Sequence, residues 1–403
     1  MQKGFLSQYF DGVAIKRLRP VEVCVSISNQ HEFNANKALR CLLGEVRRTY
    51  DCRFLWFSGE NEGVSAEGRV TWYDARENHP TRTEYRLYFN SNDVMDQAQV
   101  GDLLIVARRA DQSLFVIVVA AGCTFENQLC WLFGIADVGN EFNYQPVSDA
   151  RDPEINFTVR CILDELGIEI EEADVALLDT ILEPYLDKGF PTTIEFSALA
   201  RRTSRLNSPI EDPDNTLLSW MEHEEKLFKR LERHLVSQRL RNGFYSDDCT
   251  DVDGFMRFSL SVHNRRKSRV GSALENHLEA LFTSHGIRFA RGQITENKSR
   301  PDFIFPGMAE YRDANYPLSR LTMLGVKSTC KDRWRQVLAE AARISHKHLL
   351  TLEPSISMGQ TSEMAQNMLQ LILPKRLHDT YNAEQRKRLW TVAYFLSFVL
   401  RRQ

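Results

Sequence analysis

Asp302 and Lys327 are the residues from which a reaction can be built. Asp302 lies in Arg300-Pro301-Asp302-Phe303-Ile304-Phe305-Pro306, at the mouth of a short apolar strand bracketed by prolines. Lys327 interrupts a second apolar stretch, Met323-Leu324-Gly325-Val326-Lys327-Ser328-Thr329. A charge inside such a strand is costly unless paired, so Lys327 calls for an anionic neighbour. Asp302 is 25 positions earlier, enough for a loop and a return strand that sets the two side by side. The chemistry this suits is phosphodiester hydrolysis. That reaction needs an activated water, stabilisation of charge on the transferring phosphoryl, and help for the leaving oxygen. Mg²⁺ held by carboxylates can supply all three, with a lysine ordering the water.

A second carboxylate must reach the same ion. In the common nuclease arrangement it sits two residues before the lysine, and here that position is Gly325. The spacing predicts a helix over Asp332–His346, with Trp334, Val337, Leu338, Ala341 and Ile344 apolar and Glu340 on the border of that face. A ligand migrated from position 325 to Glu340 restores the pair. A Pro-Asp and a strand lysine alone are common, and their plain alternative is a strand-start Asp, a surface Lys and a solvated Glu. Basic density around them favours the chemical reading. Asn264-Arg265-Arg266-Lys267-Ser268-Arg269 is expected to open a helix carrying Glu275 and Glu279, and Lys331-Asp332-Arg333-Trp334-Arg335 follows the lysine. Two basic runs bracketing an acidic site suit a phosphate backbone. Lys331, Asp332 and Arg333 can also read G·C pairs, by donation to guanine O6/N7 and acceptance from cytosine N4.

The positioning elements fall into two regions. Roughly the first 150 residues read as β-rich, with strands at Val21–Ser28 and Thr81–Asn90 and a hairpin of Leu103–Ala107 and Leu114–Ala120. Ala35–Val46 and Asn127–Phe133 read as short helices. Thr216–Arg241 reads as a long helix, capped by Asp214 or Asn215. From about 250 onward the pattern is α/β. The expected domains are 1–145, a linker and hinge over 146–213, and 214–403.

With 403 residues, 43% hydrophobic and 26% charged, the chain is an ordinary folded protein of about two domains. A net charge of −3 argues against a general polyanion binder, so DNA contact must come from local basic clusters. Eight scattered cysteines, without C-x-x-C or zinc spacing, read as reduced thiols. No apolar run of membrane-spanning length and no leader is evident, so a cytoplasmic location and no membrane partner are expected.

At these residues the chain closely resembles the EcoRII restriction endonuclease family. The matching stretches are S-V-x-N-R-R-K-S-R-x-G from Ser261, P-D-F-x-F-P from Pro301 and V-K-x-T-C-K-D-R-W-R-Q from Val326, within a match from about Thr216 to Glu353. The resemblance implies a multidomain chain: an N-terminal β-rich DNA-binding pseudobarrel followed by a C-terminal α/β restriction-endonuclease-like domain of the PD-(D/E)xK type. It implies Mg²⁺ as cofactor and Asp302, Lys327 and Glu340 as the catalytic set. Asp302 and Glu340 would be metal ligands, with Glu275 as an auxiliary acid and Tyr311 at a position of catalytic relevance. Lys331, Asp332 and Arg333 fall on the family's CC:GG recognition segment, and Arg265, Arg266, Lys267 and Arg269 on its basic helix. Family substrates are palindromes of the CCWGG type, cut before the first C. The implied partners are duplex DNA, a second copy of the chain and a cognate DNA methyltransferase. In the family the amino-terminal half binds a second target copy and autoinhibits the nuclease. Its echoes here place effector DNA on Lys16, Arg17, Arg82 and Arg86, although Ser28–Arg76 departs from the family pattern. Two other readings remain: a DNA-binding regulator with a degenerate nuclease fold, and a nuclease that senses methylated or damaged DNA.

Overall fold

The computed structural model describes residues 6–24, 26–27, 31–58, 63–147, 156–170, 172, 174–204, 208–246, 249–330 and 333–403. The chain divides into two compact units, residues 1–170 with 354–360, and residues 171–353 with 361–403.

The first unit is built on β1 (Phe10–Arg17), β2 (Glu32–Asn34), β3 (Arg48–Phe57), β4 (Val64–Asp74), β5 (Tyr85–Phe89), β6 (Leu103–Arg109), β7 (Leu114–Val119) and β8 (Asn143–Pro146). They form one sheet in the order β2-β5-β4-β3-β7-β6-β1-β8, antiparallel except where β3 runs parallel to β7. The predicted hairpin is β6–β7, and the predicted strand at Thr81–Asn90 is formed over its second half.

β6 and β7 are apolar at nearly every position because both faces of the sheet are covered. Leu103, Ile105 and Ala107 enter one core with Phe115, Ile117 and Val119. Leu104 and Val106 enter a second core with Leu114, Val116 and Val118. Period-two geometry does this sorting. A register shift between Phe10 and Gly12 lets Phe10 and Val13 of β1 share the first core.

The helices of this unit are α1 (Pro20–Val23), α2 (Lys37–Leu43), α3 (Asp93–Gln97), α4 (Thr124–Leu132) and α5 (Phe157–Glu165). The strand expected at Val21–Ser28 is not formed over its described residues. Pro20 presets the first helical φ of α1, and the Glu22 carboxylate accepts from Arg19 N at 2.9 Å, closing a helical turn. Residues 354–360, which come from the second half of the chain, are held to α4 within this unit. Gln128 Nε2 donates to Pro354 O at 2.9 Å and Thr124 Oγ1 to Gln360 Oε1 at 2.9 Å.

The second unit opens with α6 (Val175–Leu182), α7 (Thr193–Thr203), α8 (Pro213–Arg241) and α9 (Val252–Ser284), with a small hairpin of β9 (Tyr245–Ser246) and β10 (Cys249–Thr250) between the last two. The stretch 146–213, expected to be linker and hinge, thus holds α5, α6 and α7. α8 starts earlier than predicted. Asp212 is its cap, accepting from Asn215 N at 3.1 Å, and Pro213 takes the first helical position. Asp214 does other work: its carboxylate accepts from Lys375 N, Val392 N and Ala393 N, each at 2.9 Å.

A five-stranded sheet follows, in the order β11 (Ala290–Arg291), β12 (Phe303–Phe305), β13 (Thr322–Lys327), β14 (Lys347–Thr351) and β15 (Leu369–Ile372). The β11–β12 and β12–β13 pairs are antiparallel, and β13–β14 and β14–β15 are parallel. The remaining helices are α10 (Met308–Arg312), α11 (Trp334–Leu338), α12 (Met358–Gln366), α13 (Ala383–Arg386) and α14 (Val392–Leu400). Phe282 of α9 meets Phe303, Phe305 and Phe395 of α14 in a ring cluster with centroids 5.0, 5.1 and 6.5 Å away. That cluster fixes β12, and with it the strand entrance where Asp302 stands. Among the described residues no helix is long and apolar enough to cross a membrane.

Candidate active site

β12 and β13 lie antiparallel with Phe303 opposite Leu324, so Asp302 arrives beside the far end of β13. Its Oδ2 accepts from Val326 N at 2.6 Å and from Lys327 Nζ at 3.2 Å. The anion demanded by the strand lysine is therefore Asp302. Both side chains keep a window to solvent, at 16% exposed for Asp302 and 20% for Lys327.

Glu340 comes from a tight loop. The predicted helix over Asp332–His346 is confined to α11, because Ala341 turns to φ 46° and the chain leaves helical geometry. Glu340 is half-buried, and its Oε2 is buried without a hydrogen-bond partner. Burial first, then the neighbouring Asp302 charge, push its carboxyl up to about 7, with Lys327 and Lys347 opposing. Glu275 of α9 faces the same charges. Burial and then Asp302 raise its carboxyl, while Arg291, which donates to Glu275 Oε2 at 3.0 Å, opposes. Two buried acids thus face the Asp302 charge, and a cation placed between Asp302 and Glu340 would relieve that repulsion and give the orphaned Oε2 a partner. Among the described residues, no three Asp, Glu, His or Cys side chains stand close enough together to hold a metal by themselves. The fit is to a two-carboxylate site, Asp302 with Glu340, whose remaining ligands would come from substrate and water.

Packing leaves no room for a side chain at Gly325. A Cβ there would stand 2.7 and 2.8 Å from the two methyl carbons of Val337, which is fully buried on α11. Gly325→Glu is expected to lower stability by about 2–5 kcal/mol, from overpacking and a buried unpaired acid, with no gain in activity. Urea denaturation checks this; a stable, active variant would show that position 325 can still hold a ligand.

Tyr311 is 2% exposed and turned away from solvent. Its hydroxyl donates to Glu296 Oε2 at 2.6 Å and accepts from Arg343 N at 3.4 Å, and burial with the Glu296 contact pushes the phenol up to about 12. Its hydroxyl thus bridges Glu296 and the loop that carries Glu340.

The structure changes several expected DNA contacts. The basic run at 264–269 sits in the middle of α9 and does not open it. Arg269 is 5% exposed, between Glu224, at 3.4 Å, and Glu225, so it is a core ion pair and not a DNA contact. Glu224 also meets the buried His277 at 2.9 Å. Arg266 pairs with Glu232 at 2.5 Å but stays half in solvent, and Arg265 lies over the Phe190 ring at 4.7 Å. Lys267 and Arg333 are exposed. Lys331 and Asp332 lie outside the described residues.

In the first unit, Lys16 is a second correction. It is 1% exposed, paired with Glu22 and 4.8 Å from the Phe142 ring centre, so it cannot reach DNA. Arg17 pairs with Glu126, and Arg86 with Glu32 and Glu84 at 2.7 and 2.6 Å. Arg82 is exposed.

Residues 228–396 match the protein-family model described as EcoRII C terminal. The similarity is confined to this segment, less than half of the chain. The segment contains Glu275, Asp302, Lys327 and Glu340. The Type II restriction enzyme EcoRII of Escherichia coli is 44% identical over 187 residues, covering 46% of this chain and 45% of that enzyme. The match therefore spans less than half of the relative's length. The DNA complex of restriction endonuclease PspGI aligns with a TM-score of 0.45 and 15% identity, over 54% of this chain and 95% of that one. Metal-depleted Ecl18kI with uncleaved, modified DNA aligns with a TM-score of 0.44 and 19% identity, over 57% and 84%.

Two residues around these acids escaped the sequence reading. Arg291 braces Glu275 and Glu279, and Lys347 lies beneath the Glu340 loop. Lys347 carried only a weak signal: it lies between His346 and His348, two residues before the apolar pair Leu349-Leu350.

Proposed function

We propose that the chain is a Type II restriction endonuclease that hydrolyses duplex DNA at a short CC/GG palindrome of the CCWGG type, with Mg²⁺ as cofactor. The observation that carries this reading is the pairing of Asp302 with Lys327 at the end of the central strand β13, with Glu340, whose buried Oε2 lacks a partner, close enough to feel both charges. The 44% identity to a restriction enzyme over this region supports it.

Asp302 and Glu340 would hold Mg²⁺, which when bound stabilises charge on the phosphoryl group and acidifies a water. The residues of the chain do the rest. Val326 N and Lys327 Nζ orient the Asp302 carboxylate. Lys327 has three N–H donors; one engages Asp302, and the others can aim the attacking water and bind a non-bridging phosphate oxygen. Arg333, Arg265, Arg266, Lys267 and Lys331 supply cations for the DNA backbone and bases, and Asp332 an acceptor for cytosine N4. A palindromic target has a two-fold axis, which a homodimer matches with one site per strand. A cognate methyltransferase would protect host DNA.

The amino-terminal unit is proposed to be the DNA-binding pseudobarrel of the resemblance, binding a second target copy and restraining the nuclease until it does. Arg82 is the exposed member of its expected contact set. Residues 354–360 pack in that unit yet lie in sequence between β14 and β15, so the two units share a covalent route for such control.

Plasmid digestion with Mg²⁺ against EDTA tests the activity: discrete fragments with Mg²⁺ alone are expected, and none under either condition would point to the degenerate regulator. Adding a short uncleavable target duplex in trans should speed cleavage of a single-site plasmid. An unchanged rate would remove the restraint from the account.

A further inference from the structure

We propose that Lys347 is a positioning residue, whose buried ammonium clamps the Glu340 loop in the shape that presents its carboxylate to the metal. The proposal rests on the nuclease reading above and adds to it a residue outside the carboxylate–lysine set.

Lys347 opens β14 and is 6% exposed. Its Nζ donates to the carbonyls of Glu340, of Ala341 at 3.2 Å and of Ile344 at 3.0 Å. An ammonium has three donors, and all three go to one five-residue loop. Burying a cation against carbonyl dipoles is expensive, and here the return is the geometry of that loop. The loop needs holding. α11 ends at Leu338, and Ala341 adopts φ 46°, a left-handed conformation that an L-residue seldom takes.

The other side of the loop is held as well. The Arg343 amide donates to Tyr311 Oη at 3.4 Å, Tyr311 donates to Glu296 Oε2 at 2.6 Å, and Arg343 Nη2 donates to Asp313 O at 3.1 Å. Between the two clamps, Glu340 Oε2 makes no hydrogen bond of its own. The direction of this carboxylate is therefore set by the backbone that Lys347 fixes. Groups of this kind behind a ligand typically change metal affinity about 10–100-fold when removed.

The test is Mn²⁺ binding, read by electron paramagnetic resonance of the free ion, to full-length protein on a CCWGG duplex with non-hydrolysable scissile linkages. Wild type, Lys347→Met, Lys347→Arg, Glu296→Ala and Glu340→Gln are compared, with DNA affinity in EDTA and urea stability measured alongside. Lys347→Met is expected to weaken Mn²⁺ about tenfold or more with DNA affinity in EDTA unchanged, and Lys347→Arg to recover part of the loss. Glu296→Ala, which loosens the opposite side, should shift it about threefold the same way. Wild-type Mn²⁺ affinity in Lys347→Met would overturn the proposal. Should that variant not fold, wild-type affinity in Glu296→Ala together with Lys347→Arg would do so. If wild type itself binds Mn²⁺ no better than Glu340→Gln, the nuclease reading fails and not the clamp alone.

Discussion

Lys327→Ala is expected to slow DNA cleavage about 1,000-fold or more while DNA binding persists. Two features of the site make the effect large. Lys327 Nζ is 3.2 Å from Asp302 Oδ2, so its loss removes the cation that orients this carboxylate, along with the donors available to the water and the phosphate. The strand itself survives, because Val326 N still holds Asp302 at 2.6 Å and Lys327 is the last residue of β13. Asp302→Ala should have a comparable kinetic effect and bind DNA at least as well, since a negative charge leaves the phosphate surface. Gel shifts in EDTA and initial cleavage rates in Mg²⁺ separate the two properties. Cleavage at a tenth of the wild-type rate or better in either variant would place the chemistry elsewhere.

Glu340→Gln should stop cleavage and, at the same time, make the metal-free protein more stable at pH 8. Burial and Asp302 raise the Glu340 carboxyl to about 7 in the fold, above its ordinary value of 4.5. The folded state thus binds a proton that the unfolded chain has released between those two values. By linkage, wild-type stability falls as pH rises from about 4.5 to about 7 and is level above. The full shift corresponds to on the order of 3 kcal/mol, and partial exposure of the side chain reduces the expected gain to about 2. Glutamine, neutral throughout, escapes this penalty. Its advantage over wild type should be absent below pH 4.5 and complete above pH 7. Urea denaturation in EDTA across that range reads it directly; equal stability at pH 8 would mean that Glu340 is not an uncompensated charge. The same proton competes with Mg²⁺, so wild-type cleavage should drop as pH falls from 8 to 6, and added Mg²⁺ should offset part of the drop.

Much of the site was legible because strand chemistry is local. A lysine in an apolar strand must meet an anion, and the chain supplied Asp302 at the right distance. Glycine in place of the second acid was also readable as an absence, but its cause was not. Only packing shows that Val337 fills the space where a side chain at position 325 would go. The helix predicted over Asp332–His346 ends at Leu338 although its apolar periodicity continues, because the chain turns at Ala341 and sends three carbonyls to Lys347 in place of helical partners. Basic residues were the least readable. Arg269 and Lys16 look in sequence like their exposed neighbours, and only the fold shows that Glu224, Glu225 and Glu22 draw them into the interior. In the first unit, β6 and β7 announced themselves by apolar runs. β3 and β4 did not, because their buried positions are interrupted by part-buried and exposed ones, with Glu67 and Arg69 carried outward.

The most direct measurement is run-off sequencing of plasmid DNA digested in Mg²⁺ by the wild type and, in parallel, by Asp302→Ala from the same purification. The account predicts that wild-type ends fall at one short CC/GG palindrome on both strands, and that the variant gives none. Ends scattered without a common sequence, or identical ends from the variant, would contradict it.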